Sequence, residues 1–359
     1  MNEITAKDVL QALSHVDDPD LHKDIVTLGM VKDIEIDGKK VAFTVELTTP
    51  ACPMKEMIER ACNNAIRHFI KEAEDVKITM SSRVTTKRDK SETLPLVKNI
   101  IAVGSGKGGV GKSTVAANLA YGLSHLGAKV GILDADIYGP SIPMMLGLKG
   151  HQVEVSENGK MIPAMKDGIK VLSIGFMIRE NQPVVWRGPM ISSAFKQFVN
   201  DSLWGELDYL IIDLPPGTGD IHLTLTQLLP LTGVLMVTTP QDMAIADCRR
   251  AMSMFRTQGV TAPLIGLVEN MSWFVPADAP DKKYFIFGEG GADILSKEFD
   301  VPVIGHIPIF ENLRSKADAG VNPFNENNPA TEQLIKITEA LAQQVSIINN
   351  QSKTIISNT

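Results

Sequence analysis

The sequence predicts an α/β fold: a mostly parallel sheet covered by helices on both faces, preceded by a small α+β domain. Three observations predict it. From Asn99 onward, short continuous apolar runs recur: IIAVGS, KVGILDAD, IKVLSI, YLIIDLP, GVLMVTTP, LIGLVENM and VPVIGHIP. Helical stretches lie between most of them, and strands apolar on both faces belong to a parallel sheet buried on both sides. The first run leads through the glycine-rich GSGKGGVGKST into a helical pattern, a strand–turn–helix unit. Ahead of Asn99 the pattern differs, alternating apolar and polar residues as a half-buried sheet does.

The leading segment, residues 1–80, reads as the α+β unit. Ile4 to Ser14 has helical spacing, and LGMVKDIEIDGKKVAFTVEL alternates around a DGK turn, a hairpin signal. A helix follows, opened by Pro53 near its first turn, with Met57, Ala61, Ala65 and Phe69 on one stripe. VKITMSS closes the unit as a strand. Residues 81–98, SRVTTKRDKSETLPLVKN, are polar and charged and read as a linker. The larger domain spans residues 99–345. Its last helix is about ATEQLIKITEALAQQVSII, and residues 346–359 read as a flexible polar tail.

Bulk composition narrows the class. A chain of 359 residues suggests two domains, and 44% hydrophobic with 21% charged residues is globular composition. A net charge of −7 argues against bulk electrostatic binding of nucleic acid. No apolar run reaches the ~18 residues of a spanning helix, and the acidic start lacks the order of a signal peptide. The expected setting is cytoplasmic, with no membrane and no nucleic-acid partner. Three cysteines, Cys52, Cys62 and Cys248, form no CxxC and no disulfide framework.

Gly106-x4-Gly111-Lys112-Ser113 has the spacing of a Walker A loop, which makes the larger domain a P-loop NTPase. The residues from Gly106 through Lys107, Gly108, Gly109, Val110 and Gly111 bend the backbone so that its N–H groups face a phosphate chain. The helix beginning near Lys112 adds its positive end. Lys112 is expected on the β- and γ-phosphates of ATP, Ser113 on Mg2+, and Thr114 on the α-phosphate. Asp134 and Asp136 follow the next strand at its carboxyl end, where open parallel sheets place ligand chemistry. Asp213 ends another strand as a Walker B aspartate, a second Mg2+ contact. PPGTG follows it, and Asn270 lies in VENMS at the end of a further strand.

KGGxGKST resembles the deviant Walker A loop of the SIMIBI-class NTPases, the group of MinD, ParA, ArsA and the nitrogenase iron protein. That resemblance implies that Lys107 reaches across a homodimer interface to the partner's nucleotide. It implies that Asp136, in switch I, orients the attacking water, with Asp134 assisting or binding the metal shell. It places Gly217 of switch II with its N–H toward the γ-phosphate, and gives Asn270 the reading of adenine. DADIYGPSIPMMLG, VVWRGPM, DYLIIDLPPGTGDIHLTL and GLVENMSWF narrow the likeness: from about Asn99 to about Ala342 the chain resembles the Mrp/ApbC family of ATP-binding iron–sulfur cluster carriers. DDPDLHKDIVTLGMV and TTPACPMKEMI resemble the MIP18-like domain often fused to bacterial members. The implied function is a cytoplasmic homodimeric ATPase of low turnover that delivers a [4Fe–4S] cluster to apoprotein targets.

One departure is large. Family members commonly carry CxxC just after ENMS, whereas NMSWFVPADAPDKKYFIFGEGG has no cysteine, and Asp278, Asp281 and Tyr284 are poor substitutes for a thiolate. Cys52, in TPACPM at a helix start, becomes the first choice for cluster contact. Cys62 and Cys248 read as packing, as do Met243, Met252 and Met254. His222 is expected near switch II, sensing nucleotide or held by a local hydrogen bond. The alternative function is an ATP-switched adaptor or regulatory ATPase that binds no cluster.

Overall fold

The computed structural model describes residues 3–88, 93–177, 188–257, 262–276, 279 and 282–356. The chain divides into two compact units, residues 1–86 with 342–359, and residues 87–341. Among the described residues no helix is long and apolar enough to cross a membrane.

The first unit opens with α1 (Ala6–Leu13), whose capping box joins Thr5 and Asp8. Strands β1 (Val31–Asp37) and β2 (Lys40–Leu47) pair antiparallel about the DG turn, where Gly38 takes φ +59°. Helix α2 (Lys55–Phe69) then crosses over to β3 (Asp75–Ser82), which lies parallel to β2. The expected stripe of α2 is corrected. Met57 and Phe69 are exposed, and the buried face carries Ile58, Cys62, Ala65 and Ile66. The physical reason is that Ile58, Cys62, Ala65 and Ile66 are spaced i, i+4, i+7 and i+8 and pack with Phe43, Val45 and Leu13. The segment 81–98 is tied down at its ends: β3 runs to Ser82, Arg83 N–H donates to Leu47 O at 2.8 Å, and the next strand begins at Val97.

In the second unit β4 (Val97–Ser105) leads through the glycine loop to α3 (Lys112–His125) and β5 (Val130–Asp134). After the short α4 (Ile142–Met145) come β6 (Ala164–Lys166), β7 (Ile169–Ser173) and α5 (Gly188–Asn200). Then follow β8 (Leu207–Asp213), α6 (Asp220–Leu228), β9 (Gly233–Thr238), α7 (Asp242–Phe255) and β10 (Leu264–Phe274). The unit ends with α8 (Gly291–Phe299), β11 (Val303–Ile309), α9 (Glu311–Ala319) and α10 (Pro329–Ile356), whose residues from Ala342 on belong to the first unit.

The eight strands lie in the order β6-β7-β5-β8-β4-β9-β10-β11. All seven expected runs form strands, and neighbours among them pair parallel. The eighth, β6, was not expected; it forms an antiparallel hairpin with β7 around Asp167 and Gly168, both at positive φ. Ile100, Ala102, Leu210 and Ile212 meet Phe195, Phe198 and Phe255 of α5 and α7 on one face of the sheet. The alternate residues Ile101, Val103 and Ile211 are equally buried, and α3 packs on β4, β5 and β8. Each such aliphatic side chain contributes about 1.5–3 kcal/mol by burial. The two-sided burial explains why the runs are apolar without alternation.

Of the flexible tail expected over 346–359, residues 346–356 are helical instead, and 357–359 lie outside the described residues. α10 continues to Ile356 with Val345, Ser346 and Asn349 buried. Its polar residues have partners in the first unit: Gln343 Nε2 donates to Asp20 Oδ1 at 2.5 Å, Ser346 Oγ to Thr48 Oγ1 at 2.8 Å, and Asn349 Nδ2 to Thr85 O at 3.0 Å.

Candidate nucleotide site

Strand β4 is central, flanked by β8 and β9, so the loop at its carboxyl end sits at the crevice where an open α/β sheet accepts ligands. The loop needs its glycines. Gly109 and Gly111 take φ +85° and +84°, which L side chains rarely adopt. Gly106 is constrained differently: a Cβ there would lie 2.1 Å from the Asp247 carbonyl carbon and 2.3 Å from Cys248 N, so α7 presses on the loop backbone. Ser105 Oγ donates to Lys107 O at 2.9 Å and closes the turn from below. Lys107 is half-buried, and among the described residues no ion pair engages its ammonium.

Lys112, at the first turn of α3, is buried. Its Nζ lies 2.6 Å from Asp213 Oδ1, 3.7 Å from Asp136 Oδ2 and 3.2 Å from Ser113 Oγ. Asp213 and Asp134 end adjacent strands and stand side by side in the parallel register. Asp134 Oδ1 accepts from Asp136 N at 3.1 Å, while its Oδ2 accepts from Ile142 N at 3.2 Å and Ser173 Oγ at 3.0 Å. Asp134 therefore shapes the turn that carries Asp136. Burial, reinforced by the neighbouring Asp213 charge, pushes the Asp134 carboxyl up to about 8. Burial also raises Asp213, against the pull of Lys112.

Three buried carboxyl groups thus face one buried ammonium, and Asp213 Oδ2 is buried with no hydrogen-bond partner among the described residues. A buried acceptor left unpaired costs about 1–3 kcal/mol. The unpartnered Asp213 Oδ2 and the nearby Ser113 Oγ are oxygen donors of the kind a divalent cation takes, and these two residues would hold Mg2+.

The other expected groups are present with added detail. Gly217, at φ +97°, donates its N–H to Ser105 O at 3.0 Å. His222 sits beneath that loop, Nε2 2.8 Å from Pro215 O and Nδ1 3.2 Å from Gly219 O; burial lowers its basicity. Asn270 does not end its strand, which continues to Phe274; its Nδ2 donates to Val110 O at 2.9 Å, inside the phosphate loop. Thr114 offers its carbonyl to Asn118 Nδ2 at 2.7 Å.

The structure brings Gly106 to Thr114, Asp134, Asp136, Asp213, Gly217 and Asn270 to one end of one sheet. Cys52 belongs to the other unit, half-buried beside the core of the α+β fold. Cys62 and Cys248 are buried, and burial pushes both thiols up to about 12. Of the VVWRGPM motif, residues 184–187 lie outside the described residues, as do Asp278 and Asp281. Sequence reasoning missed Ser173, Glu269 and His306. The signal for Glu269 was a lone acid inside an apolar strand, directly before Asn270.

Two family models match this chain. Residues 96–346 match ParA, described as the NUBPL iron-transfer P-loop NTPase, and residues 6–80 match an iron–sulfur cluster assembly protein family. The chain is 46% identical over 347 residues to an "Iron-sulfur cluster carrier protein" of Synechocystis sp., covering 96% of this chain and 97% of that one. A protein of the same description from Deinococcus radiodurans is 46% identical over 343 residues, covering 94% and 95%. Among solved structures, an Archaeoglobus fulgidus nucleotide-binding protein in complex with ADP is similar at 39% identity and TM-score 0.59, over 69% of this chain and 96% of that one. With the loop, the paired strand-end aspartates and these matches together, the chain belongs to the NUBPL iron-transfer P-loop NTPase family, with an iron–sulfur cluster assembly domain ahead of the NTPase domain.

Proposed function

We propose that this protein is a cytoplasmic, homodimeric, ATP-dependent carrier that assembles or transfers [4Fe–4S] clusters to apoproteins, hydrolysing ATP slowly. The observation that carries the reading is the buried Lys112–Asp213–Asp136 cluster at the end of the central strand. In it Asp213 holds Lys112 where phosphates would otherwise draw it.

Binding of a nucleotide gives Lys112 a new counter-charge on the β- and γ-phosphates and releases Asp213. Ser113 and Asp213 would hold Mg2+, which would supply positive charge to the phosphate oxygens. Asp136, 3.7 Å from Lys112 Nζ, orients the attacking water. Gly217 exchanges its bond to Ser105 O for the γ-phosphate, which makes switch II a reporter of nucleotide state. Asn270 meets adenine through its carbonyl oxygen while its amide keeps the loop in place. Lys107, half-buried and without an ion pair among the described residues, serves the nucleotide of the second protomer.

The cluster is cargo. No cysteine stands between Asn270 and Gly291, and Cys62 and Cys248 remain thiols at neutral pH because burial pushes them to about 12. A cluster iron takes thiolate, so contact falls to Cys52.

Anaerobic reconstitution with iron and sulfide, followed by transfer to an apo-[4Fe–4S] enzyme with and without ATP, tests the proposal. The expected result is bound iron and acid-labile sulfide in the wild type, lost in Cys52→Ala. No iron above background, with ADP binding intact, overturns the carrier reading and leaves an ATP-switched adaptor.

A further inference from the structure

Among the described residues no side-chain hydrogen bond joins Glu269 or His306 to the phosphate loop. Glu269 is nevertheless 2% exposed and immediately precedes Asn270. Its carboxylate joins three elements. Oε2 accepts from Ala292 N–H, at the start of α8, at 2.8 Å, and Oε1 lies 3.2 Å from His306 Nδ1 on β11. The Glu269 carbonyl also accepts from Ser272 Oγ at 2.8 Å.

The backbone between these two bonds is irregular. Met271 takes φ +57°, and the pairing of β10 with β11 shifts register between Asn270 and Phe274. A non-glycine residue in the left-handed region costs on the order of 1 kcal/mol and persists only where its surroundings fix it. Just before the kink, Asn270 reaches the loop: Nδ2 to Val110 O at 2.9 Å, with Gly111 so close that a Cβ on it would lie 2.1 Å from the same nitrogen.

We infer that the Glu269–His306 pair positions Asn270 against the phosphate loop, so that nucleotide affinity depends on this pair although, among the described residues, neither side chain hydrogen-bonds to the loop. The inference rests on the nucleotide-binding reading above.

Its chemistry predicts a pH signature. His306 is held above the ordinary histidine range by its hydrogen bond to Glu269, against burial, and the Asp293 carboxylate of α8 adds to this. Burial works to raise Glu269, but the bonds from His306 and Ala292 to its carboxylate hold it below the ordinary glutamate range. The other groups near His306 are the Trp273 ring at 6.3 Å and, over that ring, Lys283 Nζ at 4.4 Å from its centroid. A raised histidine contributes fully below its unfolded value, and the contribution is lost as pH climbs through the raised value. The grip on the loop therefore weakens on the alkaline side.

The test is ADP affinity of the full chain by calorimetry, from about pH 6 to about pH 9, the window in which a raised histidine titrates. Wild type, Glu269→Gln, His306→Gln and Asn270→Ala are compared, with Lys112→Ala as the non-binding control. The wild type is expected to weaken about tenfold toward alkaline pH, the factor that about 1.4 kcal/mol of lost pairing produces. The three variants should start weaker and fall less steeply than the wild type; what slope remains belongs to Asp134, whose carboxyl, raised to about 8, titrates in the same window. Variants that match the wild type in affinity and slope overturn the inference. A wild type that binds no ADP at any pH overturns the nucleotide reading instead. Should Glu269→Gln fail to fold, His306→Gln decides alone, because the imidazole is 34% exposed and its loss leaves no buried void.

Discussion

Lys112 Nζ and Asp213 Oδ1 are 2.6 Å apart, and both groups are buried. In this arrangement Lys112, proposed to bind phosphate, is neutralised by Asp213, proposed to hold the cation, while the second oxygen of that carboxylate has no hydrogen-bond partner among the described residues. Removing one member of a buried pair strands the other charge. Asp213→Asn keeps an oxygen for Lys112 but loses the charge, so the nucleotide-free protein should lose about 2 kcal/mol of stability. It should also lose the cation's contribution to nucleotide binding. Thermal melts with ADP, with and without Mg2+, check this: the metal should raise the wild-type midpoint and leave that of the variant unmoved.

Gly111 and Asn270 form a second test. Gly111→Ala must hold φ near +84° and place a Cβ 2.1 Å from Asn270 Nδ2. The left-handed backbone costs about 1–2 kcal/mol, and displacing the amide removes the bond to Val110 O. A loss of about 2 kcal/mol in chemical unfolding and at least tenfold in ADP affinity is expected. Gly108→Ala, where φ is not positive and a Cβ meets open space, should unfold as the wild type does.

These relationships differ in how far a local pattern reveals them. The phosphate loop was legible because its chemistry is set by spacing within GSGKGGVGKST, and the parallel strands because two-sided burial leaves unbroken apolar runs. Hairpin β6–β7 was missed because three residues are too few for a period, although the DG pair at its turn was a usable signal. The stripe on α2 was misplaced because Met57 and Phe69 are apolar yet lie on the outer face, which only the sheet beneath the helix decides. Asn270 was found by motif, but its grip on Val110 joins residues far apart in the chain. No local pattern carries that, nor the Glu269–His306 pair.

The end of α10 yields a prediction about the first unit. Gln343, Ser346 and Asn349 recur at helical spacing and bond to Asp20, Thr48 and Thr85. A side-chain hydrogen bond of this kind contributes about 0.5–1.5 kcal/mol. The triple variant Gln343→Ala, Ser346→Ala, Asn349→Ala should therefore raise hydrogen exchange across residues 1–86 while the core strands of the second unit, such as Ile100–Val103, keep their protection. Unchanged exchange in residues 1–86 would mean that the helix end contributes nothing to that unit.

Thiol reactivity separates the three cysteines. Cys62 and Cys248 are buried, and burial pushes their thiols up to about 12, so the reactive thiolate is scarce at any pH the fold tolerates. Cys52 is only half-buried, at the turn ahead of α2. With iodoacetamide at neutral pH the native protein should take one label, at Cys52, and guanidinium should expose the other two. Mass mapping of the labelled peptides reads the outcome. Equal labelling of all three in the native state would show that burial does not protect Cys62 and Cys248, and would remove the reason for assigning cargo contact to Cys52 alone.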